Sequence, residues 1–154
     1  MPVEFGPYRA EFSAMALSAD RERVYVGSRS GDVVWAEWSS LRSGAREWAR
    51  FPAPPAPPGK MNLAAHVGSL AQILSTESGL YSVACYGTRA ELIAWEPETH
   101  ARLGAVTYRE RVGVVSLTSG PRGEQLVLGL GSGGVRLVGV GELRAASEAP
   151  RKRQ

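Results

Sequence analysis

The chain repeats itself, and the repeat limits the folds open to it. Phe12 to Trp38, FSAMALSADRERVYVGSRSGDVVWAEW, reads as three short strands joined by two tight turns. Ser18 to Glu22 is polar and turn-prone, Arg23 to Val26 is β-branched and aromatic, and Gly27 to Asp32 is a Gly/Ser/Asp turn cluster. Val33 to Trp38 is the third strand. Leu70 to Trp95 and Val112 to Val138 follow the same plan. The strands carry apolar residues on both faces, as in sheets packed between neighbours; a sheet wet on one face would alternate cleanly.

Spacing supports the repeat. From the first apolar residue to the glycine taken to close the second strand is 15, 17 and 17 positions (Phe12 to Gly27, Leu70 to Gly87, Val112 to Gly129). The unit ends Trp95 and Val138 lie 43 positions apart. Trp38 and Trp95 lie 57 apart, and the excess is a Pro-rich insertion. A period of about 40–45 residues built from short strands is that of a four-stranded propeller blade.

In these residues the chain resembles the WD-repeat β-propeller family. Phe12 to Ser28 aligns without a gap on the family's opening strand, turn and second strand. Trp95-Glu96-Pro97-Glu98-Thr99 stands where the family has its Trp-Asp pair, and Gly134 to Val138 matches the strand leading into it. The resemblance implies an all-β chain: a partial β-propeller of about three four-stranded antiparallel blades. Its segments are a leader or outer strand over 1–11, blade one over 12–51, a Pro-rich insertion over 52–66, blade two over 67–107, blade three over 108–146 and a basic tail over 147–154. The units end in Trp38-Ser39, Trp95-Glu96 and Val138-Gly139, not Trp-Asp, and none opens on the Gly-His pair, though His66 stands close to its place. The family's His–Ser/Thr–Asp–Trp network is therefore expected to be absent.

Three blades are fewer than the roughly four of the smallest usual propellers. The open apolar faces would need a second copy of the chain, another protein to complete, or further blades of a longer product. Blade one's outer strand is expected over Glu47–Phe51 and blade two's over Ala101–Thr107; Glu142–Glu148 is either a short helix or a weak outer strand. Five prolines within Phe51–Lys60 read as a stiff extended spacer, and Met61–Ala65 has weak helical character.

Composition narrows function by exclusion. The 18 basic and 15 acidic residues leave +3, which the tail residues Arg151, Lys152 and Arg153 account for. A neutral body argues against nucleic acid as partner. No apolar run approaches the ~20 residues of a membrane span, the start MPVEFGPYRAEF lacks a secretory pattern, and Cys85 is the sole cysteine. The cytoplasm, or the nucleus, is the expected compartment.

No residue set reads as catalytic. His66, His100 and Cys85 are too few and too scattered for a zinc site. Cys85 lies inside a strand and reads as an inert core thiol. Gly129-x-Gly131-x-Gly133 lacks the following helix that a phosphate loop needs. The tryptophans read as core. The expected function is a non-enzymatic protein-interaction scaffold, with no cofactor and no metal. Arg29, Arg89, Tyr108, Arg109 and Arg111 are the expected contact residues, because the resemblance implies that their connectors fall on one face of the blades and because Arg and aromatic residues are enriched at interfaces. Tyr8 and Arg9 would join them. The alternatives are a small-ligand-binding or enzymatic propeller completed by other blades, and a truncated fragment of a larger WD-repeat protein.

Overall fold

The computed structural model describes residues 11–44, 47–53, 64–121 and 123–145. The leader, most of the Pro-rich insertion and the basic tail, and with them Tyr8 and Arg9, lie outside the described residues. The chain is mostly strand, arranged as three antiparallel sheets.

Sheet one is β1 (Phe12–Leu17), β2 (Arg23–Ser28), β3 (Val33–Glu37) and β4 (Ala49–Arg50), paired in that order. Sheet two is β5 (Ser69–Ser75), β6 (Leu80–Tyr86), β7 (Arg89–Trp95) and β8 (Arg102–Tyr108). Sheet three is β9 (Val112–Gly120), β10 (Gly123–Leu130) and β11 (Val135–Gly139). The second strand of each sheet lies between the first and third, as a meander of short hairpins requires.

One helix departs from the expected pattern, and a second, over Val140–Ala145, takes the short-helix alternative read for Glu142–Glu148. The third strand of unit one stops at Glu37, and α1 (Trp38–Arg42) begins at the tryptophan assigned to the strand. Trp38 is 44% exposed, so it is not core; Trp95 is fully buried, and Trp35 and Trp48 are partly so. After β11 comes α2 (Val140–Ala145), so among the described residues sheet three has three strands, not four. Val140 and Leu143, three apart, share one helical face, and both are buried in the core between sheets two and three. A helix buries both together, where an extended strand would turn one to solvent.

The same irregularity recurs at the start of each sheet. The register slips by one residue after Phe12↔Ser28, after Leu70↔Ala84 and at Val112↔Leu130. This β-bulge aligns the units by structure, with Phe12, Leu70 and Val112 equivalent, as the sequence spacing has them. The second-strand match is different in sheet two: Gly27 and Gly129 correspond to Val83, not to Gly87. The β6–β7 hairpin is longer and closes at Tyr86↔Arg89 through a two-residue turn, in which Gly87 has φ of 55°.

With this alignment, burial alternates consistently along the second strands. Leu80, Ser82 and Ala84 of β6 face sheet one, and Tyr81 and Val83 face sheet three. Leu126 and Leu128 of β10 face sheet two, as does Tyr25 of β2 from the other side. Sheets one and two join where β1 and β2 meet β5, and the Ser13 hydroxyl donates to the Leu70 carbonyl at 2.6 Å. Sheet three meets sheet two where β9 packs on β5 and β6.

A glycine lets α2 reach sheet two. A Cβ on Gly104 of β8 would collide with the Leu143 carbonyl, which is helix backbone. Gly104→Ala should therefore lift α2 off β8 and cost on the order of 1–3 kcal/mol, read as a lower urea midpoint of unfolding.

Candidate functional site

Two glycines shape the end of the sheets where the sequence places its contact residues. The connector into sheet two crosses the β2–β3 turn, and the His66 amide donates to the Gly31 carbonyl at 3.0 Å. Gly31 (φ 92°) leaves no space for a Cβ beneath the His66 carbonyl. At Gly68 (φ 101°) a Cβ would lie 2.5 Å from the Cys85 carbonyl oxygen. Only glycine combines this dihedral with this approach.

The connector delivers His66 into the core, where it is 3% exposed. The Trp95 indole N–H donates to Ser82 Oγ at 2.7 Å; His66 Nε2 lies 2.6 Å from the same Oγ, and Nδ1 lies 2.8 Å from Glu91 Oε1. An indole N–H can only donate and an ionised carboxylate can only accept, so Ser82 Oγ accepts from Trp95 and Nδ1–H is the donor to Glu91. Arg102 lies 3.6 Å from the other oxygen of Glu91. Burial acts to raise the Glu91 carboxyl pKa, but the His66 hydrogen bond, the charges of His66 and Arg102 and the Val67 amide together hold it below its ordinary value.

The network corrects the sequence reading, which leaves it out of this chain. Sheet two has a His–Ser–Trp network with Glu91 as its acid. Its connectivity also matches a serine nucleophile, a histidine base and an orienting carboxylate. Ser82, however, is 1% exposed and its oxygen already accepts from Trp95, so the arrangement pins a connector, a strand and a hairpin together. Spacing could not reveal this set: its four residues come from the connector, β6 and β7, and only folding brings them into one core.

The five expected contact residues sit at the connector end of their sheets in different states. Arg29, in the β2–β3 turn, pairs with Glu11 at 2.8 Å with both side chains exposed, a geometry worth little in stability. Arg89 is exposed at the first position of β7. Arg109 and Arg111 are exposed on either side of Glu110. Glu110 accepts the Ser132 hydroxyl at 2.6 Å, and the Gly131 amide donates to the Arg111 carbonyl at 2.6 Å, which ties this connector to the β10–β11 turn. Tyr108 is buried, burial raises its phenol pKa, and the Arg136 guanidinium lies 5.5 Å from its ring centre. It is a floor, not a contact.

Sequence reasoning missed a cleft beside Arg89. It has a volume of about 270 Å³ and is lined by Val67, Tyr86, Arg89, Ala90, Glu91 and Thr107. Val67 and Tyr86 are 61% and 65% exposed, which puts an apolar and an aromatic side chain beside a cation. The only sequence signal is the position of Tyr86 directly before Gly87, at the tip of a hairpin that outreaches its neighbours. Cys85 is half-buried with Sγ 3.6 Å from the Val112 carbonyl. Among the described residues, no group of His, Cys, Asp and Glu could hold a metal, and no helix is long and apolar enough to cross a membrane.

At the opposite end, Arg23 ties sheet one to the turn after β7. Its guanidinium donates to the Pro97 carbonyl at 2.9 Å, meets Glu98 at 3.1 Å and Glu37 at 3.4 Å, and stands 5.3 Å from the Trp35 ring centre. His100 lies beneath, stacked on Phe51 at 4.6 Å and beside Trp35 and Tyr25. Its Nε2 is buried with no hydrogen-bond partner among the described residues. Burial, then the Arg23 charge, lowers its pKa against the opposing pull of Glu96, Glu98 and Glu37.

Searches of family models and of curated proteins found no match to the chain.

Two predictions follow from these buried groups. Ser82→Ala strands the Trp95 indole N–H and His66 Nε2 together and should cost about 1–3 kcal/mol, measured by denaturant unfolding. The unfolded chain protonates His100 near 6.5 and the folded one only below that, so its contribution is complete above about pH 6.5 and is lost as pH falls toward the lower folded value. His100→Asn, which tolerates the 58° φ, should flatten stability against pH in that window even though it lowers stability overall.

Proposed function

We propose that the chain is a WD-repeat-like propeller segment that serves as a non-enzymatic protein-interaction scaffold. The fold supports this reading through three antiparallel sheets that share a bulge and a two-faced burial pattern. The His66–Ser82–Trp95 network of sheet two adds support: it has the residue types of the family's His–Ser/Thr–Asp–Trp network, with Glu91 for the aspartate.

The observation that carries the interaction reading is the cleft at Tyr86 and Val67. Exposed aromatic and apolar side chains beside Arg89 match the composition of interface centres. Arg109 and Arg111 extend the same end of the molecule with positive charge. The partner that fits is a peptide segment with an apolar anchor for the cleft and acidic residues for the arginines. The protein is proposed to act in the cytoplasm or nucleus.

A displayed peptide library, selected on the wild-type chain and counter-selected on an Arg109→Glu/Arg111→Glu variant, tests this. Acidic peptides with an aromatic or aliphatic anchor should be enriched. The double reversal should weaken them by at least about tenfold, or roughly 1.4 kcal/mol, and Tyr86→Ala by a similar factor. Peptides that bind the reversed chain equally well would remove the connector face from the proposal.

A further inference from the structure

Four of the side chains around the connector-end cleft stand on one face of sheet two. Tyr86 and Arg89 are cross-strand partners in β6 and β7, and Glu91 and Thr107 are partners in β7 and β8. Side chains alternate along a strand, so Arg89 and Glu91 share the face on which Ile93 and Trp95 pack toward sheet one. Tyr86 shares that face with Ala84 of β6. Val67 borders the cleft from the connector. Val67 and the Tyr86 ring supply apolar contact, and Arg89 supplies one positive charge.

Glu91 puts an acceptor into this cleft. Its side chain is 21% exposed, deeper than those of its exposed neighbours Tyr86, Arg89 and Thr107. A carboxylate offers about four acceptor sites. His66 Nδ1, at 2.8 Å, and the Val67 amide take two of them. Arg102 stands 3.6 Å from Oε2, near enough to balance the charge and too far for a good hydrogen bond. Acceptor capacity is therefore left over, on a group that His66 already holds in place. Across the ladder, the Thr107 hydroxyl can give or take a hydrogen bond.

These groups sort the side chains that could enter. Glu91 and Arg102 neutralise each other and Arg89 adds positive charge, so a lysine or arginine gains no net attraction. A purely apolar anchor strips water from Glu91 and offers no donor in return, which costs affinity. A neutral donor on an aromatic ring meets both the apolar walls and the acceptor. An indole N–H could donate to Glu91 but could accept nothing from Thr107; a phenol can do both.

We propose that the cleft takes a tyrosine side chain of the partner peptide, its ring against Val67 and Tyr86 and its hydroxyl donating to Glu91. The Thr107 hydroxyl donates to the phenol oxygen. This inference rests on the peptide-binding reading above and names the anchor; Glu91 is the specificity-determining residue. The buried His66 bond then has a second use, because it fixes the acceptor before the ligand arrives.

Two glutamate-rich synthetic peptides that differ only in a central tyrosine or phenylalanine test the proposal, by calorimetric titration of the full chain. Phenylalanine is the more apolar, so a cleft without an acceptor would hold it at least as tightly. The tyrosine peptide should instead bind about tenfold more tightly, as a hydrogen bond to a charged group allows. Glu91→Leu should erase that preference, and the exposed Thr107→Val should narrow it while leaving the phenylalanine peptide unchanged. Should Glu91→Leu fail to fold by circular dichroism, Thr107→Val decides alone. Equal binding of the two peptides to the wild type overturns the tyrosine anchor and leaves the peptide-binding reading standing. So does a preference that the folded variants leave undiminished. If neither peptide binds, the tyrosine anchor falls, and enrichment in the displayed library decides whether the peptide-binding reading falls with it.

Discussion

Each sheet is apolar on both faces, and the rest of the structure depends on that constraint. A strand such as β6 sends Leu80 and Ala84 one way and Tyr81 and Val83 the other, and all four are buried. Such a sheet buries half its apolar surface against one neighbour and needs a second for the other half. Sheet two has both neighbours, and it contributes to two of the three core clusters. Among the described residues, sheets one and three have one each. On sheet one, Leu41 of α1 and Trp48 cover Val24, Val26 and Val34, leaving Met15 and Leu17 at the inner strand exposed.

Polar groups are used where apolar packing lacks direction. Dispersion and burial hold two sheets together but do little to fix their connectors. The Trp95–Ser82–His66–Glu91 chain does this by satisfying each donor in turn, and in a low-dielectric interior such a network is costly to leave incomplete. Arg23 has a comparable part at the other end, where it reaches across from sheet one to the Pro97 carbonyl and Glu98. The central sheet is thus fixed at both ends. At the connector end, the exposed side chains Val67, Tyr86 and Arg89 stand on a rigid base, which suits a binding surface.

Local pattern made the strands legible. Arg23–Val26, Leu80–Tyr86 and Val135–Val138 are β-branched, aromatic or leucine-rich runs closed by glycine, and they are strands. The errors lie where local signals are ambiguous. Trp38 continues an apolar run, so it reads as strand, yet its amide donates to the Glu22 carbonyl at 2.7 Å and the chain turns there into α1. Gly87 resembles Gly27 in sequence, but it closes a longer hairpin, and the bulge at Leu70 sets the true register. Of the expected contact residues, the arginines could be placed at the surface because charges at turns stay near solvent. Tyr108 could not, because the same tyrosine suits either a surface or a floor.

The sequence by itself determined the strand content, the three-fold unit and the turn positions, since alternation, β-branching and glycine act within a few residues of the chain. It also determined that both faces of each sheet need cover. Only the tertiary structure decided that His66 meets Ser82, Trp95 and Glu91, that Tyr86 and Val67 border a cleft with Arg89, and that α2 lies on Gly104. These contacts join residues from separate turns and strands, and their partners are set by how one sheet is seated on the next, a choice made by shape and burial over the whole core.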